Sequence, residues 1–130
     1  MIQKHNETIP RYIAKTRTIK IKIPDNSPFK KLKLPKEYEK ITTGKRLKEE
    51  SIVQANCVYS YADKINKGKC AIYSTIYQKH RYTIEIRRNK KGFYLAQCQG
   101  FKNLYTNQEL KKEIIECLKK ENKRLNYIVK

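Results

Sequence analysis

Apolar and polar residues alternate along this chain in two rhythms, one of period two and one of period three to four. In the stretch 17–23, RTIKIKI, Ile19, Ile21 and Ile23 point one way and Lys20 and Lys22 the other. That pattern predicts a half-buried strand at a sheet edge, where outward lysines discourage edge-to-edge pairing. Pro24, Pro28 and Pro35 punctuate the connector that follows, in which residues 29–34 read either as a second short strand or as an extended arm. From Lys36 to about Asn66 the period turns helical, with a break at Thr42-Thr43-Gly44. Leu47, Ser51, Ile52, Ala55 and Val58 recur at spacings of three and four, which predicts one helix face turned toward a core. A further short helix through Ala62-Asp63-Lys64-Ile65 is expected to stop at Gly68.

Three strands follow: Cys70–Tyr77, Arg81–Arg88 and Phe93–Gln99 are rich in β-branched and aromatic residues, with turn-sized breaks at 78–80 and 89–92. Connections this short force antiparallel pairing, because a parallel return needs a long crossover. Within the second strand, Thr83 and Glu85 share one face while Tyr82, Ile84 and Ile86 take the other, expected to be the core face. Thr106-Asn107-Gln108-Glu109 has the form of a capping box, and Leu110, Ile114, Cys117, Leu118 and Leu125 form an apolar stripe behind it, with Lys111, Lys112, Lys119 and Lys120 outward. The expected fold is α+β: an antiparallel β-sheet meander with helices packed on one face and a long C-terminal helix. Residues 1–16 lack any sustained period and read as a loose arm before a single basic domain over 17–130.

Charge changes the picture more than length does. The chain has 130 residues, with 31 Lys and Arg against 12 Asp and Glu, a formal charge of +19 spread along its whole length. Such an excess calls for an acidic partner, and nucleic acid comes first because phosphates neutralised by Lys and Arg release counterions without needing sequence-specific contacts. Solubility and an AT-rich coding bias are the ordinary alternative. No apolar run reaches the roughly 18 residues of a membrane span or resembles a signal peptide, so no membrane partner and a cytoplasmic location are expected. Cys57, Cys70, Cys98 and Cys117 show no close pair to seed a metal site, and no cofactor is implied. Cys57, with only His5 and His80 as possible bases in the chain, reads as a buried structural thiol in preference to a nucleophile.

The candidate phosphate contacts are Arg87, Arg88, Lys90 and Lys91 at one hairpin tip, Lys79 and Arg81 at the opposite turn, and Lys30, Lys31 and Lys33 in the connector. Tyr73 and Tyr77 share a strand face with Ala71 and Thr75 and are expected to form an accessible stripe on which bases stack, core packing being the alternative. A second constellation is polar and uncharged apart from one carboxylate. It comprises Asn56, Cys57, Tyr61, Ser74, Thr83, Glu85, Gln97 and Asn103.

With Leu47, Glu50, Val58, Gly68 and Gly100, these residues follow an order that resembles the PcfJ-like family of conjugative plasmids and phages, over about residues 47–120. Two positions depart from the pattern. Asn56 stands where the family usually has histidine, and Ile76 where arginine is expected. Both replaced groups suit acid–base or oxyanion work, so the resemblance implies a member that has lost any such chemistry. A lone carboxylate among amides and hydroxyls can hold a backbone or a base edge by hydrogen bonds. The reading that follows is a non-enzymatic accessory protein of a mobile element that binds RNA or single strands. The alternative is an inhibitor, of the anti-CRISPR type, docked on a host defence nuclease or its guide RNA. Oligomeric state is left open, since the N-terminal strand could swap between copies.

Overall fold

Two-residue turns order the sheet. The computed structural model describes residues 18–126, so the arm over 1–16 lies outside the described residues. The elements are β1 (Glu39–Lys40), α1 (Gly44–Gln54), α2 (Ala62–Asn66), β2 (Cys70–Tyr77), β3 (His80–Asn89), β4 (Gly92–Gln99) and α3 (Gln108–Arg124). The four strands form one antiparallel meander in the order β1-β2-β3-β4. Gln78 and Lys79 between β2 and β3 both take positive φ, 49° and 69°, as a two-residue hairpin needs to match strand twist. On β4 the register slips: Glu85 faces Gln97 but Ile86 faces Leu95, so Ala96 is the extra residue of a bulge. Phe93 and Leu95 therefore share a face with Ile86, whereas Gln97 and Gln99 share the opposite face with Glu85 and Thr83.

The α+β class, the meander and the long C-terminal helix are as expected, but the helices occupy both faces of the sheet. Against one face α3 places Leu110, Ile114 and Leu118 on Ala71, Tyr73, Tyr82, Ile84, Ile86, Phe93 and Cys98, with Phe29 and Leu32 of the connector completing the cluster. Against the other, Leu47 of α1 and Val58, Tyr59, Ala62 and Ile65 pack on Cys70 and Ile72. The face that carries Thr83 and Glu85 is thus buried as well.

Several local expectations are corrected. Residues 18–23 form no strand, because their backbone is held by side chains instead of a neighbouring strand. Asn66 Oδ1 accepts from Lys22 N (2.8 Å), Asn66 Nδ2 donates to Lys20 O (3.1 Å), and Tyr59 Oη accepts from Ile19 N (2.6 Å). The connector holds a 3-10 turn, Pro28–Lys30, in place of a strand. Residues 36–41 are not helical; they turn into β1, which pairs Glu39 with Ser74 and Lys40 with Tyr73. Helix α1 starts only after Thr43, whose side chain accepts from Arg46 N (3.1 Å), and ends at Ala55 in the left-handed region. Its buried face is Leu47, Glu50, Ser51 and Gln54, while Ile52 and Val53 face solvent. The helix cap falls one residue later than the capping-box pattern places it. Asn107 Oδ1 accepts from Leu110 N (2.9 Å), because Thr106 Oγ1 is committed to Cys98 O (2.6 Å) and Glu109 to the Tyr77 hydroxyl.

Candidate functional site

The termination of α1 at Ala55 throws the next residues across the sheet, and this forms the site. Asn56, Cys57, Val58 and Tyr61 from the α1–α2 connection meet Ile72 of β2, Thr83 and Glu85 of β3, Gln97 and Gln99 of β4, and Asn103 just beyond. They line a cleft of about 60 Å³. Asn103 belongs to a 3-10 turn, Phe101–Asn103, in which Lys102 and Asn103 both have positive φ, 56° and 58°. Seven of the eight residues of the polar constellation converge here. Ser74 does not. It lies opposite Thr83, buried, and accepts from Arg81 Nη1 (3.0 Å).

Beneath the cleft is a buried ionic network. Glu50, fully buried on α1, accepts from Thr83 Oγ1 (2.5 Å) and ion-pairs through Oε1 with Arg46 (3.1 Å) and Arg81 (3.5 Å). Those guanidiniums supply charge to Oε1 without an aligned hydrogen bond. Arg46 also bridges to Glu39 (3.0 Å), and Gln54 Nε2 donates to Arg81 O (3.1 Å). Asn56 Nδ2 donates to Thr83 Oγ1 (3.3 Å) and its Oδ1 accepts from Val58 N (3.1 Å), so the side chain at the position where the resemblance expects histidine holds the loop. Ile76 is solvent-exposed, and its register partner is Arg81. A guanidinium therefore reaches this face from the strand opposite the position where the resemblance expects one. Glu50 was visible only as part of the family pattern. The signal for its role is a glutamate at helical spacing from Leu47, Ser51 and Gln54, on the face that turns inward.

Glu85 is the carboxylate of the cleft. Its Oε2 accepts from Arg87 Nε (2.6 Å), while among the described residues no donor reaches its buried Oε1. That pairing raises the Arg87 pKa, and Tyr94 and Tyr61 lie near enough to add to the effect. Gln97 Nε2 donates to Tyr61 Oη (3.3 Å), and Lys64 Nζ stands 4.6 Å from the Tyr61 ring centroid. The cleft can accept and donate hydrogen bonds, but it offers no oriented acid–base pair. His80 sits at the β2–β3 turn against Tyr105, ring centroids 5.6 Å apart.

The basic residues divide. Lys31 and Arg88 line one groove of about 320 Å³ with Asp25, Asn26, Ser27 and Pro28, which brings the connector to the β3–β4 tip that bears Lys90 and Lys91. Phe29 packs edge-on against Phe93 at the same end (5.2 Å), and Arg124 Nη2 donates to Lys31 O (2.7 Å). Lys33 is exposed beside them, its amide donating to Glu121 Oε1 (2.7 Å), and Lys30 pairs with Asp25 (3.6 Å). Arg87 and Arg81 are drawn to Glu85 and Glu50, and Lys79 lies at the opposite turn.

The tyrosine stripe is corrected. Tyr73 is 1% exposed because α3 and the connector cover that face, and its hydroxyl has no hydrogen-bond partner among the described residues. Lys40 Nζ, donating to Phe29 O and Leu32 O, closes over it 6.0 Å from the ring centroid. Tyr77 is half-buried against the same cluster. Of the strand tyrosines, Tyr94 is the exposed one, on the cleft side beside Arg87.

Cys57 is likewise corrected: it is exposed at the cleft, since the turn after Ala55 takes it off the helix face. Cys70 and Cys98 are buried, and burial pushes their thiols up to about 12 and about 11. In the folded protein at neutral pH, iodoacetamide is expected to label Cys57 at least tenfold faster than Cys70 or Cys98, as read by peptide mass spectrometry. Comparable rates for the three would mean that the cores on both faces of the sheet open locally.

Among the described residues, no helix is long and apolar enough to cross a membrane and no three His, Cys, Asp or Glu side chains gather as a metal site. No protein family, curated protein or solved structure matches the chain.

Proposed function

We propose that this chain is a non-enzymatic nucleic-acid-binding protein that grips single strands, RNA in particular, in the cytoplasm, and that it serves a mobile genetic element. The observation that carries the reading is the meeting of two basic groups from distant parts of the sequence. Lys31 of the connector and Arg88 of β3 line one groove beside Lys90 and Lys91, giving a backbone several cationic contacts at one end of the molecule. Accessory service to a mobile element rests on the PcfJ-like resemblance, which the convergence of seven matched residues on one cleft supports. The cleft's only carboxylate is already paired with Arg87, which argues for holding a ligand over transforming one.

Binding of labelled single-stranded RNA, single-stranded DNA and duplex at roughly 50 and 200 mM salt tests this. The combined variant Arg88→Gln, Lys90→Gln, Lys91→Gln is expected to weaken strand binding at least tenfold at the lower salt. It should also flatten the log–log salt slope by about 2, near 0.7 for each phosphate no longer neutralised. An unchanged slope, or wild-type binding that vanishes at the higher salt without preference among the three nucleic acids, sinks the reading.

A second reading, an inhibitor docked on an acidic surface of a defence nuclease, is favoured by one feature. The open edge of β4 and α3 enclose a groove of about 460 Å³ where exposed Ile115 stands among Lys111 and Lys119. Ile115→Asp would abolish that docking and leave strand binding intact.

A further inference from the structure

We infer that the cleft around Glu85 is a base-reading pocket, one that accepts the amino-bearing edge of guanine, adenine or cytosine and discriminates against uracil and thymine. This rests on the single-strand reading above and specifies what the strand presents to the protein. The starting point is Glu85, which lines the cleft and whose buried Oε1 has no hydrogen-bond donor among the described residues. A buried carboxylate oxygen without a donor is costly, so the pocket is built for a ligand that brings one.

Three features decide the ligand's chemistry. The donor is neutral, because a free cation would meet the field of a protein with a formal charge of +19 and would compete with Arg87, already 2.6 Å from Oε2. The exocyclic amine of a base meets neither obstacle, whereas the N3–H of uracil and thymine is flanked by two carbonyl oxygens that a carboxylate repels, and the phosphates of the strand are drawn to the same surface. The remaining polar lining is amide, from Gln97, Gln99 and Asn103, groups that donate and accept and so complement the mixed pattern of a base edge. Val58 and Ile72 supply the apolar lining. A volume of about 60 Å³ takes an edge and leaves the ring outside, beside the half-buried Tyr61 that lines the cleft.

The pocket and the basic tip lie on the same strand. Arg87 joins them, since it pairs with Glu85 and precedes Arg88 in sequence. Four to five residues of β3 separate Glu85 from the tip, roughly 15 Å at the rise of an extended strand. Arg88 is on the opposite sheet face from Glu85, but Lys90 and Lys91 form the turn itself, so one single strand can pass around the hairpin end, laying phosphates on Arg88, Lys90 and Lys91 while it turns a base toward Glu85.

The test uses the full chain and fluorescein-labelled oligouridine strands, either plain or carrying one central guanosine, adenosine or cytidine, with binding followed by anisotropy at fixed salt. The wild type is expected to bind at least one amino-bearing strand about tenfold more tightly than plain oligouridine, the scale of one hydrogen bond to a charged group. Glu85→Gln should bring that ratio below twofold, while the release of Arg87 strengthens the binding of plain oligouridine and of the other strands alike. If all strands bind equally well to the wild type, the pocket assignment fails and the phosphate-binding reading survives. If no strand binds, both fail together. A preference that persists undiminished in folded Glu85→Gln also overturns the assignment, because the base would then be read elsewhere.

Discussion

Glu50→Ala is expected to lower the stability of this domain by about 3 kcal/mol, seen as a shift of the urea midpoint at an unchanged slope. The carboxylate is fully buried and is the common partner of Arg46, Arg81 and the Thr83 hydroxyl. Its removal leaves two guanidiniums facing each other across a hole and takes away the acceptor that orients Thr83. The side chains of Arg46 and Arg81 retain 20% and 34% exposure, so water recovers part of their solvation, which puts the cost at the lower end for a broken buried pair. Because Thr83 also accepts from Asn56, the variant should disturb the cleft as well. Glu50→Gln keeps the volume and one acceptor and should cost clearly less. A loss below about 1 kcal/mol for the alanine variant would mean that the arginines are satisfied by solvent and the network contributes little.

The second large effect belongs to Asn122, near the end of α3. Its Oδ1 accepts from Phe93 N (2.7 Å) and its Nδ2 donates to Phe93 O (3.1 Å), so one side chain pairs with the start of β4 as a neighbouring strand would. Both residues are buried, and Gly92 is required before Phe93 because its φ is +116° and any Cβ would stand 2.5 Å from Asn122 Oδ1. Asn122→Ala removes both of these hydrogen bonds from the buried start of β4 at once. The expected cost is about 2–4 kcal/mol, with loss of hydrogen-exchange protection at the Phe93 amide. The adjacent exposed Lys123→Ala should stay within about 0.5 kcal/mol. An Asn122→Ala protein with wild-type protection at Phe93 would show that the edge of β4 is held by other contacts.

Both variants act at joints that periodicity does not reveal. Cys70–Tyr77 is a strand over the residues its β-branched and aromatic content marks out, and β3 and β4 exceed their expected limits only at the turn ends, at His80, Asn89 and Gly92. These segments were legible because strong local preference, short turns and burial all favour the same state. The stretch 18–23 had the alternation without a partner. A strand needs a free edge beside it, and here β1 takes the outer side of β2, leaving Ile21 and Ile23 to pack on the second core while Asn66 and Tyr59 hold the backbone. For Thr106 the capping pattern was present, but a long-range bond to Cys98 O prevailed over it, and Asn107 capped instead.

The candidate site divides along the same line. By itself the sequence determined the α+β class, the central three-stranded meander, the long C-terminal helix, the excess of positive charge, and a set of polar residues of which seven line one cleft. These follow from local propensity and composition, which each segment carries wherever it lies. Tertiary structure alone decided that Tyr73 is sealed beneath α3 and the connector, that Cys57 faces solvent, and that Glu50 underlies the site. It also decided that the bulge at Ala96 turns Gln97 and Gln99 toward Glu85 and that Lys31 meets Arg88. Each of these depends on what packs against a residue from far along the chain, and a one-residue change of register or of helix end reverses which face a side chain takes.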